Sequence, residues 1–213
     1  MLKYGIGCLV VLALVVGLAL ILGLWAMGIY NGIVTRNQAV DKQWSQVENV
    51  YQRRYDLIPN LVNTVQGAAN FEKSTLTEIT NARASVGQVK LSPQDLSDPE
   101  KFKQFERAQG AMSSALSRLL VVVERYPDLK ATQNFRDLQV QLEGTENRIS
   151  VERGRFNDSV QEYNAYILQL PNSLIANFSG FHQRPYFTSV SGANQAPAVK
   201  FDFNNTPAPT PAR

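Results

Sequence analysis

The residues of this chain that could perform acid–base or metal chemistry are few and far apart. Glu143 and Glu146 stand three residues apart, as on a metal-binding helix face, but carboxylate sites of that kind also need Glu-x-x-His motifs, which the sequence lacks. The single histidine, His182, has no second imidazole with which to hold a metal ion. Nucleotide-binding and hydrolase motifs are also missing from the sequence. We therefore predict that the chain uses no cofactor and is not an enzyme.

Charge and cysteine content argue against a nucleic-acid partner and against cysteine-based sites. The chain has 21 Lys and Arg residues against 18 Asp and Glu residues, and the two signs alternate along its length. A nucleic-acid-binding protein would concentrate basic residues on one face, so no nucleic-acid partner is expected. The one cysteine, Cys8, lies in an apolar run and can form neither an intramolecular disulfide nor a cysteine-based zinc site.

A dense polar run inside a helical pattern is the strongest candidate for recognition. It consists of Arg53, Arg54, Tyr55, Asp56, Pro59 and Asn60. Two interpretations are open. In the first, which the sequence favours, one of the two arginines pairs with an acid on a neighbouring helix while the tyrosine packs inward. In the second, the whole run is an interaction patch for a partner, placed at a kink.

These side chains must be positioned by helices, and the first helix begins in a membrane segment. Residues 6–30 carry no charged side chain, and at about 1.5 Å per residue they exceed the roughly 30 Å hydrocarbon core of a bilayer. The apolar region of a cleaved signal peptide is shorter, about 7–15 residues. We therefore predict a single-pass signal-anchor over residues 1–30, with the lipid bilayer as its partner. The flanking charges, Lys3 on one side and Arg36 and Lys42 on the other, do not decide its orientation.

The membrane segment also carries a stripe of small residues at helical spacing. The stripe is formed by Ala13, Gly17, Gly28 and Gly32. Small residues let two membrane helices approach closely, so the stripe predicts packing of the anchor against a second copy and hence a homo-oligomer. The alternative is a chance arrangement, because small residues are common in membrane helices.

Beyond the anchor, apolar residues recur every three or four positions along several long segments. This pattern is typical of helices that each bury one stripe. No turn signal separates Tyr30 from Val40, so the membrane helix should continue directly into the first of these segments. Pro59 should kink that helix, residues 67–70 should interrupt it, and residues 87–100 should form a connector.

The remaining breaks define the other helices and the fold class. Asp98 should cap the next helix and Pro127 should stop it, and the last long helix should run from about Asp128 to Pro171. Helices with single apolar stripes must pack together. The prediction is an all-α fold in which the transmembrane helix is continuous with an elongated, coiled-coil-like antiparallel bundle of three to four long helices over residues 31–171.

The C-terminal part has a different composition. Residues 172–203 should form an extended tail that packs on the bundle, after one short helical turn at 174–178. Residues 204–213, rich in Pro, Ala and Thr, should be disordered.

Several runs along the chain resemble the signature of the LemA family. The most specific is the ten-residue string RRYDLIPNLV, which starts at Arg53. The other matching runs include Tyr30-Asn31, Arg36-Asn37, Trp44-Ser45-Gln46, Glu146-Asn147-Arg148-Ile149, Arg155-Phe156-Asn157, Tyr163-Asn164, Leu170-Pro171, Gly180-Phe181 and Tyr186-Phe187. The resemblance covers about residues 28–203.

This resemblance implies a bacterial membrane-anchored helical bundle with no established enzymatic activity. A relative in magnetotactic bacteria belongs to magnetosome membrane machinery, and some family members are encoded near membrane zinc peptidases of the HtpX type. We therefore expect a non-catalytic scaffold or adaptor in the bacterial cytoplasmic membrane, which recruits an envelope protein such as an HtpX-like peptidase. The alternative hypothesis is a sensor that binds a small ligand between helices and hinges at Pro59.

Overall fold

The structure is a computed structural model that describes residues 2–67 and 71–188, with side chains from residue 12 onward. Within these ranges all the regular elements are helical, which confirms the all-α prediction. The helices are α1 (Leu2–Gln66), α2 (Lys73–Gln88), α3 (Pro99–Val123), α4 (Pro127–Lys130), α5 (Gln133–Leu168) and α6 (Asn172–Phe178), with a 3-10 turn at Asp95–Ser97 between α2 and α3.

α1 runs without interruption from the apolar N-terminal stretch into the helical bundle, as predicted. Its 65 residues make it about 97 Å long at 1.5 Å per residue. It is long and apolar enough to cross a membrane, and only 6% of its most apolar window is buried, unlike the core helix of a soluble protein. Pro59 lies inside α1 without ending it.

The first breaks between helices fall where the sequence predicted them. α1 ends at Gln66, just before the expected interruption at 67–70. Asp98 caps α3, because its carboxylate accepts hydrogen bonds from the backbone N–H groups of Glu100 and Lys101 at 3.0 and 3.2 Å. Pro99 occupies the first helical position, where its missing N–H costs nothing.

The last long helix begins later than predicted, at Gln133 instead of near Asp128. Pro127–Lys130 forms the separate short helix α4. The Thr132 hydroxyl then caps α5 by accepting a hydrogen bond from the backbone N–H of Phe135. A side-chain oxygen at this position satisfies a helix-terminal donor, so the cap decides where the helix starts.

The long helices pack in antiparallel pairs. α1 lies against α5, and the two meet in reverse order: Gln43 donates to Glu152 at 2.7 Å, and Arg54 donates to Glu146 at 2.9 Å. α2 lies against α3 in the same reversed sense. Its inter-helix ion pairs are Glu78–Arg118 at 2.8 Å and Glu72–Arg125 at 2.9 Å.

Two hydrophobic clusters fill the described bundle. The distal cluster joins the end of α1 to α2, α3 and the start of α5, around residues such as Ile79 and Leu119. The proximal cluster, nearer the apolar stretch, surrounds the fully buried Trp44. Four phenylalanine rings lie with centroids 5.3–6.2 Å from the Trp44 ring: Phe102, Phe105, Phe156 and Phe187.

A tight turn after α6 sends the chain back along the bundle. Gly180 has a φ of +75°, a left-handed conformation that glycine adopts without strain. Phe181 donates its backbone N–H to Ala176 at 2.9 Å, and Gly180 donates to Asn177 at 3.4 Å, which together form a Schellman motif. The short helical turn predicted at 174–178 is a seven-residue helix, Asn172–Phe178. Residues 181–188 form the docked segment described below, and residues 189–213 lie outside the described residues.

Candidate functional site

The predicted interaction patch is divided between the core and the surface. Arg54 is buried, with 2% of its surface exposed. Tyr55 and Pro59 are half-buried. The exposed members are Arg53, Asp56 and Asn60. The six residues therefore do not form one continuous surface, although they share one stretch of α1.

Arg54 connects three helices. Its Nη1 donates to Ser113 Oγ on α3 at 2.8 Å and to Glu146 Oε1 on α5 at 2.9 Å. Its Nη2 donates to the side-chain oxygen of Gln109 on α3. The guanidinium also lies 5.0 Å from the ring centroid of Tyr51, whose pKa is raised mainly by burial. This arrangement agrees with the first interpretation of the polar run, in which one arginine pairs with an acid on a neighbouring helix.

Tyr55, one of the two half-buried members of the patch, is held by α2. The Arg83 guanidinium stacks 4.0 Å from the centroid of the Tyr55 ring, an arrangement in which the cation faces the negative side of the ring. Arg53, Asp56 and Asn60 stay on the outer face of α1, where Asp56 accepts a hydrogen bond from Gln52 at 2.8 Å. These three are the members of the patch that a partner could contact.

A second buried arginine, Arg184, was not singled out from the sequence. It lies in the docked segment and has 7% of its surface exposed. Its guanidinium donates to Asn37 Oδ1 at 2.9 Å, to Asp41 Oδ1 at 3.4 Å and to the Pro93 carbonyl at 2.7 Å. Burial raises the pKa of Asp41, and the charge of Arg184 partly opposes that rise.

Two asparagines of α5 hold the backbone of the docked segment. Asn164 accepts from the N–H of Arg184 and donates to its carbonyl, both at 2.9 Å. Asn157 forms the same pair of bonds with Phe187, at 2.9 and 3.0 Å. Seven helical residues rise about 10.5 Å and three extended residues about 10 Å, so the two spacings match.

The outer end of the docked segment is fixed by charged side chains. Thr188 donates its N–H to Glu106 Oε1 at 2.9 Å, and Arg153 donates to the Thr188 carbonyl at 2.8 Å. Arg153 also stacks 4.6 Å from the Phe187 ring centroid. The sequence analysis predicted a tail packed on the bundle. Asn157, Tyr163-Asn164 and Tyr186-Phe187, which carry part of the family resemblance, include residues that make this docking.

The small-residue stripe of the anchor is also divided. Around Gly17 and Gly28 a side chain would meet no described atom within 4 Å, and Ala13 is exposed. Gly32 lies against Tyr166 of α5, where an added Cβ would collide with the hydroxyl and approach Cζ to 3.0 Å. The inclusion of Gly32 in a helix-pairing stripe is therefore corrected: its face is occupied within the chain. Self-association through the other three residues stays a prediction.

The residues considered for metal or acid–base chemistry are engaged elsewhere. Glu146 pairs with Arg54, and Glu143 accepts a hydrogen bond from Gln139 at 2.9 Å. His182 has an exposed side chain, and its carbonyl accepts from the Tyr163 hydroxyl at 3.0 Å. In the part of the chain that the structure describes, no group of three or more metal-ligating side chains comes together.

Known proteins with similar sequences place the chain in a family. The sequence is 29% identical over 174 residues to the magnetosome protein MamQ of Magnetospirillum gryphiswaldense, which covers 74% of this chain and 64% of that protein. It is 28% identical over 174 residues to magnetosome protein MamQ 2 of Paramagnetospirillum magneticum, with the same coverage. It is 22% identical over 151 residues to protein LemA of Metamycoplasma hominis, which covers 70% of this chain and 64% of that protein.

The chain thus spans 64% of the length of these curated relatives. The sequence profile of the LemA family matches residues 43–201, which include the Arg54 contacts and the docked segment. Because this match covers most of the chain, the protein belongs to the LemA family.

Proposed function

We propose that this protein is a non-catalytic, membrane-anchored scaffold or adaptor of the LemA type. The observation that carries the proposal is the continuity of α1. Its exposed apolar stretch passes into the centre of the bundle, where Ile33, Val40 and Trp44 have no exposed surface. A single helix that is both anchor and core element holds the bundle at a set distance and direction from its anchor.

The buried charged groups support a structural role for the bundle interior. Arg54 and Arg184 direct their donors at neighbouring helices and at backbone carbonyls. In a catalytic site, charged side chains typically face a cleft where a substrate can reach them. In this protein, Arg54 and Arg184 instead hold α1, α3, α5 and the docked segment in position.

The exposed part of the patch is the proposed recruiting surface. Arg53, Asp56 and Asn60 present a cation, an anion and an amide on the outer face of α1. The proposed partner is an envelope protein, and an HtpX-like membrane peptidase is the candidate by family association. The proposed location is a single pass through the bacterial cytoplasmic membrane.

Photo-crosslinking in intact bacterial membranes tests this proposal. A benzophenone amino acid would replace Arg53 or Asn60 in the full chain, and Val140, 68% exposed on α5, would serve as the matched control. The proposal expects the same crosslinked protein from positions 53 and 60 and not from position 140. If neither position on α1 yields a reproducible protein adduct, the recruiting surface is wrong.

A specific cavity favours the sensor as the second candidate. A cleft of about 400 Å³ lies between α1, the end of α2 and α3, and it is lined by Tyr51, Tyr55, Gly87, Leu91, Phe105 and Gln109, among others. Because Gln109 also accepts from Arg54, a ligand in this cleft would reach the contacts that join the helices. Thermal unfolding separates the two candidates: a ligand at 100 times its Kd would add about 2.7 kcal/mol, and a pure scaffold would show no shift.

A further inference from the structure

The end of the bundle nearest the apolar stretch exposes a group of large apolar side chains. Leu168, Leu170, Leu174 and Phe178 are 57%, 79%, 65% and 93% exposed. All four lie within eleven residues, at the end of α5, in the turn after it and on α6. Large exposed apolar patches on proteins mark sites of interaction with another protein or with a membrane. We call these four side chains the apolar foot.

The inner face of α6 fixes the foot beside α1. Ala176 is buried in the proximal cluster together with Ile29 and Ile33 of α1. The turn after α6 places the Phe181 ring 5.8 Å from the ring of Tyr30. α6 therefore packs on α1 at the level of residues 29–33.

That level coincides with the end of the apolar stretch of α1. From Leu12 to Ile29 the helix rises about 26 Å, close to the roughly 30 Å thickness of the hydrocarbon core. Before the buried Ile29, most side chains along this stretch are exposed and apolar, including Leu14, Ile21 and Leu24. The foot therefore lies beside the C-terminal end of this apolar stretch.

The charge distribution points to the same level. The chain has no Asp, Glu, Lys or Arg between Glu162 and Arg184, and none between Lys3 and Arg36. The two uncharged stretches meet where α6 packs on α1. Two parts of the chain that are distant in sequence thus leave one end of the bundle without these charged groups.

We propose that α6 and the preceding turn form a second membrane contact, in which the apolar foot is buried in the interfacial layer of the bilayer beside the anchor. Amphipathic helices bind bilayers in this way, with the apolar face buried at the boundary between headgroups and acyl chains. The polar side of α6, with Ser173 and Asn177, would face the headgroups. With the anchor and the foot both in lipid, the bundle would have a fixed tilt on the membrane instead of swinging about α1.

Spin-label accessibility in vesicles tests this inference on the full chain. Single cysteines would replace Leu174 or Phe178 in a Cys8→Ser background, reconstituted in phosphatidylcholine vesicles. Both side chains are exposed, so labelling disturbs little packing. The inference expects collisions with oxygen, relative to a water-soluble nickel complex, to be several-fold more frequent at 174 and 178 than at a label replacing Val140.

A label at Ile21 distinguishes failure of the foot from failure of the anchor, on which the proposed function and this inference both depend. If the label at position 21 is in lipid while the labels at 174 and 178 show the same accessibility as the label at 140, the foot does not contact the membrane and the anchor is still supported. If 21 itself is in water, both proposals fall. If 174 and 178 are shielded from both reagents and broadened by neighbouring labels, a second copy of the chain covers the foot, and the inference is overturned.

Discussion

Two adjacent arginines of α1 show how one residue step on a helix separates a structural from a surface role. Each step turns the helix by about 100°, so Arg53 faces solvent while Arg54 faces the interior. A buried guanidinium is tolerated only where acceptors surround it. The Arg54 guanidinium has acceptors on Gln109, Ser113 and Glu146.

This difference gives a matched pair of substitutions. Arg54→Met should lower the free energy of unfolding by about 1–3 kcal/mol, because it leaves the buried Gln109 side chain without its charged donor. Glu146 is partly exposed and can be rehydrated. Arg53→Met should stay within about 0.5 kcal/mol of the wild type, as expected for a surface position. Urea unfolding of both variants measures the difference.

Equal effects of the two substitutions would contradict the assignment of Arg54 to the core. The same pair also bears on partner binding. If Arg53→Met abolishes the crosslink from position 60 without a loss of stability, the surface half of the patch is the one that recruits.

Among the elements, α5 has two different partners on its two sides. One side packs on α1, and another presents Asn157 and Asn164 to the docked segment. Each side-chain amide pairs with a backbone N–H and C=O in the way that a neighbouring strand would. The docked segment is thereby held along a helix, without a sheet.

Removal of one amide should release this segment locally. Asn164→Ala leaves the buried N–H and carbonyl of Arg184 without their side-chain partner, at a cost of about 1–3 kcal/mol. Hydrogen exchange at the Arg184 amide should accelerate by roughly 5- to 150-fold. Exchange at Leu119, in the distal cluster, should change little.

Asn147→Ala is the control, because Asn147 is exposed on the same helix. It should leave exchange at Arg184 unchanged. If Asn164→Ala and Asn147→Ala give the same exchange rate at Arg184, the pair of bonds at Asn164 does not hold the segment.

At the scale of the whole molecule, the anchor joins the bundle near Gly32 of α1. Gly32 marks this junction, since Tyr166 of α5 lies directly over it and the Tyr166 ring also stacks 3.8 Å from the Arg36 guanidinium. Gly28, one turn earlier, has open space around it. The two glycines therefore belong to different contacts, although both fall on the same small-residue stripe.

Substitution of Gly32 or Gly28 by leucine tests the packing against Tyr166 and the pairing of anchors separately. Gly32→Leu should displace Tyr166 and destabilise the bundle by about 1–3 kcal/mol, as overpacking does. Gly28→Leu should leave the stability unchanged, and it should weaken self-association if the stripe pairs two anchors. Thermal unfolding and chemical crosslinking in detergent micelles measure both effects. A loss of bundle stability in Gly28→Leu as large as in Gly32→Leu would contradict this division.

Much of the architecture could be predicted from the sequence because it is encoded locally. The helical period, the proline after Asp98 and the uncharged N-terminal stretch each act over a few residues, and they predicted the helices, the α3 cap and the long α1. The start of α5 was misplaced because Asp128 and Thr132 are both residue types that cap helices. The hydrogen bond from the Phe135 N–H to the Thr132 hydroxyl shows that Thr132 caps α5.

The candidate site could not be assigned in this way, because burial depends on residues that are far apart in the chain. The periodic pattern left open which arginine of the pair faces inward, and it gave no indication that Arg184 would reach Asn37, 147 positions away. Likewise, the sequence gives no sign that Gly32 is packed, and its contact with Tyr166 is visible only in the tertiary structure. Local signals thus specify which helices form, whereas the tertiary packing of α1, α5 and the docked segment decides which polar groups are buried and which surfaces remain for the membrane and a partner.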